Sequence, residues 1–395
     1  MPFFDKDKTI VTLLLEKNAV MPGETVMGTM SVVVIERVRC TALRVCIHGQ
    51  ETMYRRKEVP RQSNQVGRYG VGRNQFNGIE TQIETSTHHI VERVATVLGE
   101  QSGCGARGSV ELEPGNYDYP FSIVMPTDVP PTYCVKEYKY GGDITYTVKA
   151  VVDIPMGFDN EVRAALTVHK MVPLSQVYAA RATPLAVNAV RSDIAKYGCR
   201  GCFCGYEEDS YLLTTAIITP HVAVVDHNAA GLFPPSIALM PPLKEQQQRG
   251  LGEGPESAPP PPISVSGDPS VITVRVMVVN HTKSTALTSA RVKLRQYVTY
   301  RGGCEHTIHL ADQVIAFQEG VLQPGQSTAF DCSLPVGEGG CTSDYALPTF
   351  VSHFARVWTV LGVEYPNVKA DNTLHAANVI KLVSGIDATN LAIPA

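Results

Sequence analysis

The chain has 395 residues, of which 44% are hydrophobic and 18% charged, with a formal net charge of -4 at pH 7. This length favours two domains, each large enough to bury its own core. The 32 Gly and 27 Pro residues suit many turns and short strands, and they argue against a mainly helical protein. The small negative charge gives no general attraction to nucleic acid or to an anionic membrane, so a charged partner must meet a local patch.

The apolar runs, the N-terminal residues and the cysteine count do not suggest a membrane or secreted protein. The longest apolar runs, residues 31–35 and 358–363, are far shorter than the roughly 18 residues that a spanning helix needs. Residues 1–8 have mixed charge and no signal-peptide core, and Pro2 excludes N-myristoylation. Ten Cys are too few for a disulfide framework in a chain of this length. We therefore expect a cytoplasmic protein without a membrane span.

Alternating apolar and polar residues predict β-strands through the first half of the chain. From Asp143 to Ile154 every second residue is apolar and the residues between are mostly polar, which is the pattern of a half-buried strand. Similar runs, each bounded by Gly, Pro, Asn or Asp, occur at Thr9–Leu15, Glu24–Ile35, Thr41–Tyr54, Ile90–Leu98, Tyr117–Val124 and Val162–Val172. Strands of this number and length predict a sandwich.

A second series of strands repeats the punctuation of the first. Leu112–Gly115 matches Leu322–Gly325, and Pro131–Tyr133 matches Pro348–Phe350 in the same order. The predicted fold is therefore all-β, with two consecutive immunoglobulin-like β-sandwich domains built from a duplicated module. The strands of the second series are Leu212–Val225, Val271–Val279, Ser289–Tyr300, His306–Phe317, Ser327–Leu334, Thr349–Val363 and Ala377–Val383.

The breaks in this pattern set the predicted domain bounds. Residues 1–175 form the first domain, 176–183 a hinge, 184–386 the second domain and 387–395 a short tail. Within the second domain, residues 229–269 are rich in Pro and Gln, a composition that cannot bury enough apolar surface to fold. We predict that this insertion is disordered.

Several motifs follow one another in a characteristic order. Met21–Gly28 contains a Pro-Gly turn, Tyr119–Pro126 is a strand that ends at proline, and Pro130–Tyr133 precedes the long strand 144–153. In the second half, Tyr211–Ala216 begins another strand. This order and spacing resemble those of the arrestin superfamily, and specifically the arrestin-domain-containing proteins called α-arrestins, over nearly the whole chain.

The resemblance implies arrestin N- and C-domains and a non-catalytic adaptor or scaffold in membrane-protein trafficking. The implied partners are cytosolic tails of membrane proteins, in endocytosis and endosomal sorting, with recruitment of a ubiquitin ligase to cargo. No cofactor and no nucleic acid partner are implied. The implied location is the cytoplasm, with recruitment to the plasma membrane or endosomes. The insertion at 229–269 departs from the family, which has a short Pro-Gly turn there.

A local excess of positive charge is the first candidate binding site. Arg55, Arg56, Lys57 and Arg61 belong to a stretch, residues 54–73, in which Glu58 is the one acidic residue. Such residues bind phosphorylated tails or phosphoinositide head groups through charge-assisted hydrogen bonds. Because arrestins use basic N-domain residues on phosphorylated cargo, the resemblance favours this role. A solvated hairpin loop is the alternative.

Proline-rich segments are the second candidate. Pro130, Pro131 and Tyr133 fit Pro-Pro-x-Tyr, the peptide that WW domains of ubiquitin ligases bind. The resemblance, however, places this segment in an inter-strand crossing whose tyrosine packs inward. Residues 259–262, four consecutive prolines, are a second platform for WW or SH3-type modules, with a spacer as the alternative.

The sequence offers few candidates for catalysis or metal binding. Cys199, Cys202 and Cys204 could bind zinc, carry a lipid or form a structural turn, but no second Cys or His pair has matching spacing. No hydrolase or nucleotide-binding motif occurs. The prediction is thus an adaptor and not an enzyme. A subunit of a retromer-like sorting coat is the alternative, and a zinc-binding or redox protein using the cysteines is a distant one.

Overall fold

A computed structural model describes residues 8–60, 79–99, 109–155, 159–191, 210–225, 270–317, 320–336, 346–366, 368 and 374–387. Within these ranges every element is a β-strand apart from one helix, α1. The predicted all-β class is therefore confirmed. The chain divides into two compact units.

The elements are named in chain order. They are β1 Thr9–Leu15, β2 Ala19–Val20, β3 Thr25–Val34, β4 Val38–Cys40, β5 Ala42–Pro60, β6 Ile79–Gly99, β7 Val110–Leu112, β8 Gly115–Val124, β9 Tyr133–Lys136, β10 Tyr140–Asp153, β11 Asn160–Val168, β12 Met171–Pro173, α1 Leu174–Ala182, β13 Leu185–Arg191, β14 Tyr211–Thr219, β15 Val222–Val224, β16 Val271–His281, β17 Ser289–Tyr300, β18 Glu305–Ala316, β19 Ser327–Pro335, β20 Phe350–Val351, β21 Ala355–Glu364, β22 Leu374–Ala377, β23 Lys381–Val383 and β24 Gly385–Asp387.

The first unit spans Met1–Lys170 and also includes two short segments, Tyr300–Cys304 and Phe350–Ala355. One sheet has the order β1-β3-β8, and a second has the order β2-β11-β10-β5-β6, with β9 paired to β10. Alternate residues of both sheets are buried, among them Met30 on β3, Ile47 on β5 and Val148 on β10. Removing these apolar side chains from water stabilises the sandwich.

The β5–β6 hairpin is longer than its sequence pattern predicts. Its pairing continues to Pro60 and Ile79, beyond the predicted strands Thr41–Tyr54 and Ile90–Leu98. Residues in this distal part are mainly exposed or half-buried. With no buried face there is no apolar alternation to read, and main-chain hydrogen bonds continue the ladder.

The second unit spans Met171–Thr299, Glu305–Thr349 and Arg356–Ala395. One sheet has the order β13-β14-β16-β19, and another joins β18, β17 and β21, with β22 paired to β21. Fully buried residues such as Ile218, Val274, Leu294 and Leu361 come from both sheets. The predicted second sandwich is thus present.

Helix α1 lies where the sequence predicts a hinge. Ala, Leu, Gln and Arg in Leu174–Ala182 favour a helix, but nine residues are too few for a clear helical period. Its Val177 and Ala180 are buried in a cluster with Val222 and Val383 of the second unit. The insertion predicted at 229–269 lies outside the described residues, as does the predicted tail 387–395 apart from Asp387, which ends β24.

Candidate partner-binding site

The basic residues predicted from the sequence lie at the distal end of the β5–β6 hairpin. Arg55, Arg56 and Lys57 pair with Glu84, Ile83 and Gln82 of β6. Arg55 and Lys57 are exposed, and Lys57 forms an ion pair with Glu84 at 2.6 Å. Arg61 lies outside the described residues.

Arg56 is held against an aromatic ring. Its guanidinium lies 4.8 Å from the centre of the Tyr138 ring, and its main-chain N–H donates to Lys139 O at 2.7 Å. Tyr138 is 64% exposed, and Ile83, opposite Arg56 in the ladder, is 59% exposed. Guanidinium, aromatic and aliphatic groups therefore meet at one exposed strand end, which is a composition found at protein-binding surfaces.

A half-buried tyrosine of the same strand, Tyr54, ties this strand end to the neighbouring β9–β10 turn. Tyr54 donates its hydroxyl hydrogen to Glu137 O at 2.9 Å, and burial raises the pKa of the Tyr54 hydroxyl. Gly141 allows this approach, because a Cβ there would lie 2.5 Å from the Tyr54 hydroxyl oxygen. Main-chain pairing between β5 and β10 thus extends to Arg55, which lies opposite Tyr140.

The Pro-Pro-x-Tyr segment is part of the packed structure of the first unit. Tyr133 is 4% exposed, its ring lies 5.0 Å from that of Phe350, and burial strongly raises its pKa. Pro131 is also buried, and Pro130 O accepts a hydrogen bond from the Tyr146 hydroxyl at 2.7 Å. Thr132 bonds Val168 through both main chain and side chain, each at 2.9 Å. Tyr133 packs inward, as the resemblance implies, and a WW domain could not grip it here.

Glu51 is a fully buried acid on β5 that belongs to none of the sequence motifs. Its Oε1 accepts hydrogen bonds from Ser352 Oγ at 2.6 Å and Phe354 N at 3.1 Å, and Oε2 accepts one from His353 N at 3.1 Å. These donors offset the cost of burying a carboxylate. The strand pattern does indicate its burial, because Glu51 is four residues from the buried Ile47 on the same strand and therefore points to the same inward face.

The cysteine and polyproline candidates fall outside the described ranges. This holds for Cys199, Cys202 and Cys204 and for residues 259–262. Among the described residues, no group of three or more His, Cys, Asp or Glu side chains could hold a metal ion. Cys40 and Cys332 are buried free thiols, and burial raises the pKa of both. No described helix is long and apolar enough to cross a membrane.

Comparison with known proteins agrees with this architecture in the first unit. The family described as arrestin (or S-antigen), N-terminal domain, matches residues 11–175. That range covers the strands of both sheets of the unit and ends in α1. No curated protein matches the chain.

Proposed function

We propose that the chain is a non-catalytic adaptor of the arrestin superfamily that binds cytosolic tails of membrane proteins, because the arrestin N-terminal domain family matches its residues 11–175. The match over residues 11–175 is the observation that carries this proposal, since arrestin domains have adaptor roles in trafficking. The proposed location is the cytoplasm, with recruitment to the plasma membrane or endosomes. The proposed processes are endocytosis and endosomal sorting.

The exposed strand end at Arg55 and Arg56 supports binding of phosphorylated tails. Lys57 is neutralised by Glu84, whereas Arg55 has no ion-pair partner in the part of the chain that the structure describes. Arg56 rests on the Tyr138 ring, so its guanidinium edge is oriented before a ligand arrives. Preorganised guanidinium groups bind phosphate with two parallel hydrogen bonds.

The edge of the three-stranded sheet supports a second mode of tail binding. Strand β1 is the terminal strand of that sheet within the described ranges. Ile10 and Leu14 on its outer face are 53% and 72% exposed. An extended peptide could add to this edge through main-chain hydrogen bonds and cover these side chains.

A binding assay on the full chain tests the proposal. A peptide from a membrane-protein tail that contains no Lys or Arg is titrated, in phosphorylated and unphosphorylated form, into three proteins. These are wild type, the double variant Arg55→Gln/Arg56→Gln, and the control Arg37→Gln. Arg37 is also exposed, but it is paired with Glu111 and Glu113. We expect the double variant to bind the phosphorylated peptide about tenfold more weakly and the control to bind as wild type does. Equal binding of both peptides to all three proteins would refute phosphate recognition.

Proximity labelling in cells separates the adaptor from its alternatives. Membrane proteins and WW-domain ubiquitin ligases should be enriched around an α-arrestin-like adaptor. A fixed set of coat subunits in constant ratio would favour the retromer-like coat instead. Because Tyr133 is buried, ligase recruitment should depend on residues 259–262 and survive Tyr133→Phe. Stoichiometric zinc in purified protein would instead favour the zinc-binding or redox protein over both the adaptor and the coat subunit.

A further inference from the structure

The second unit has a row of cations on the outer face of β17. The strand alternates between buried apolar residues, such as Leu294, and half-buried residues on the opposite face. Its neighbours on this face come from β18 on one side and from β21 and β22 on the other. The row consists of Arg291, Lys293 and Arg295, followed by Tyr297.

Two of these cations are already neutralised. Arg291 donates two hydrogen bonds to Asp312, at 2.7 and 2.5 Å, and this pairing holds the pKa of Asp312 below its usual value of 3.8. Lys293 forms an ion pair with Glu364. Three positive charges thus face two carboxylates, and the surplus falls on Arg295.

Arg295 has an unmet need for a hydrogen-bond acceptor. Its Nε is buried and lacks a hydrogen-bond partner among the described residues. The β17–β18 register shifts between Leu294 and Arg295, where β18 carries the extra residue Leu310, and Arg295 keeps its place in the alternation of β17. A buried N–H without an acceptor is destabilising, and the Nε atoms of Arg44 and Arg56 are in the same state.

A depression next to Arg295 has the chemistry of a small binding site. It is lined by Lys293, Arg295, Tyr297, Val360, Gly362 and His375. Gly362, opposite His375 in the β21–β22 ladder, leaves the floor without a side chain. A glycine within a strand often marks a place where a ligand approaches the backbone.

An ordered aromatic pair flanks the depression. The Tyr297 and Trp358 rings lie 5.2 Å apart, and Trp358 Nε1 donates to Thr299 Oγ1 at 3.2 Å. The Arg356 guanidinium lies 5.7 Å from the Trp358 ring. Aromatic residues held in this way offer apolar contact at a low entropic cost.

We propose that this depression binds a carboxylate side chain of an acidic peptide, with Arg295 as the anchor and an adjacent apolar residue of the peptide packing on Tyr297. Arg295 carries the surplus charge of the β17 row, and the Arg356 guanidinium beside Trp358 adds a second cation, so the patch is complementary to an acidic segment. Two arginines give an anionic membrane only about 1 kcal/mol of attraction each. The partner is therefore a protein segment that carries Asp or Glu beside an apolar residue.

This site gives the adaptor a second peptide-binding surface, so its biological role rests on the proposed function. The acidic-peptide site and the adaptor role are tested by different experiments, so either can fail without the other. Peptide binding at Trp358 is measured on purified full chain, whereas cargo recovery and the Arg55 variants test the first unit. A chain that recruits cargo but ignores acidic peptides would overturn the site and leave the adaptor role in place.

The experiment uses the fact that Trp358 is the one tryptophan of the chain. Its selectively excited fluorescence is followed while a blocked pentapeptide, Leu-Glu-Phe-Glu-Leu, is titrated into wild type, Arg295→Gln and Arg163→Gln. Arg163 is an exposed arginine of the first unit, paired with Glu161, and serves as the matched control. Counterpart peptides carry Gln or phosphoserine in place of both Glu residues.

We expect the Glu peptide to change Trp358 fluorescence saturably in wild type and in Arg163→Gln. Arg295→Gln should bind it about tenfold more weakly, and wild type should discriminate against the Gln peptide by a similar factor. The comparison of Glu and Gln peptides uses wild-type protein, so it remains valid even if Arg295→Gln misfolds. Equal affinity for Glu and Gln peptides would overturn the proposal. Tighter binding of the phosphoserine peptide would replace the carboxylate by a phosphate ligand.

Discussion

Removing the Glu51 carboxylate should loosen the turn at residues 352–354 of the first unit. In Glu51→Ala, the N–H groups of His353 and Phe354 lose their acceptor, and Ser352 Oγ keeps only Ala355 O. Each hydrogen bond to a charged group contributes about 1.5–3 kcal/mol, but three donors on one turn are not additive and regain some water. We therefore expect a loss of about 2–4 kcal/mol in the local opening free energy.

Hydrogen exchange measured by mass spectrometry or NMR on the full chain reads this loss directly. The amides of His353 and Phe354 should exchange roughly 30- to 1000-fold faster in Glu51→Ala. Glu51→Gln retains one acceptor oxygen and should fall between wild type and Glu51→Ala. Glu58→Ala, an exposed acid on the same strand, should leave the two amides unchanged. Wild-type protection of both amides in a natively folded Glu51→Ala protein would refute the reasoning.

The remaining predictions concern stability and thiol reactivity. The Arg291 pair lowers the pKa of Asp312, so its stabilisation is present above pH 3.8 and is lost as the pH falls through the lowered value. Asp312→Asn should therefore weaken the acid dependence of urea unfolding, by less than about 1 kcal/mol because both side chains are partly exposed. Gly28→Ala should destabilise the protein by about 1–3 kcal/mol in thermal melts, since its Cβ would meet a Phe121 ring carbon at 2.8 Å. Gly115→Ala is the control and should have little effect, because a Cβ there meets nothing closer than 3.6 Å. Burial raises the pKa of Cys332 to about 12, so peptide mapping should show alkylation at least about a hundredfold slower than in denatured protein; equal rates would contradict its burial.

Sequence periodicity located most of the strands that carry the core. Thr9–Leu15 and Ser289–Tyr300 have the predicted bounds, because each has one buried face and apolar burial imposes a period of two. Short strands such as β2 and β9 were missed, since two to four residues are too few to show a period. Helix α1 was missed for the same reason, and its place was read as a hinge.

The candidate sites depended more on contacts between distant residues. The basic stretch at Arg55–Lys57 was visible as a local excess of charge, but only pairing with β6 shows that Glu84 neutralises Lys57. Likewise, the cations of β17 are evident in sequence, whereas the surplus at Arg295 follows from ion pairs that Arg291 and Lys293 make with other strands. Charge pairing across a sheet depends on register, which composition does not specify.

The order of apolar and polar residues thus determined the all-β class, because alternation along a strand is a local property of the chain. Tertiary structure decided which polar groups are used. It buried Glu51 under three donors, packed Tyr133 against Phe350 and left Arg295 Nε without an acceptor among the described residues. The first two outcomes join residues far apart in the chain, and whether a polar group is satisfied depends on what the fold places beside it.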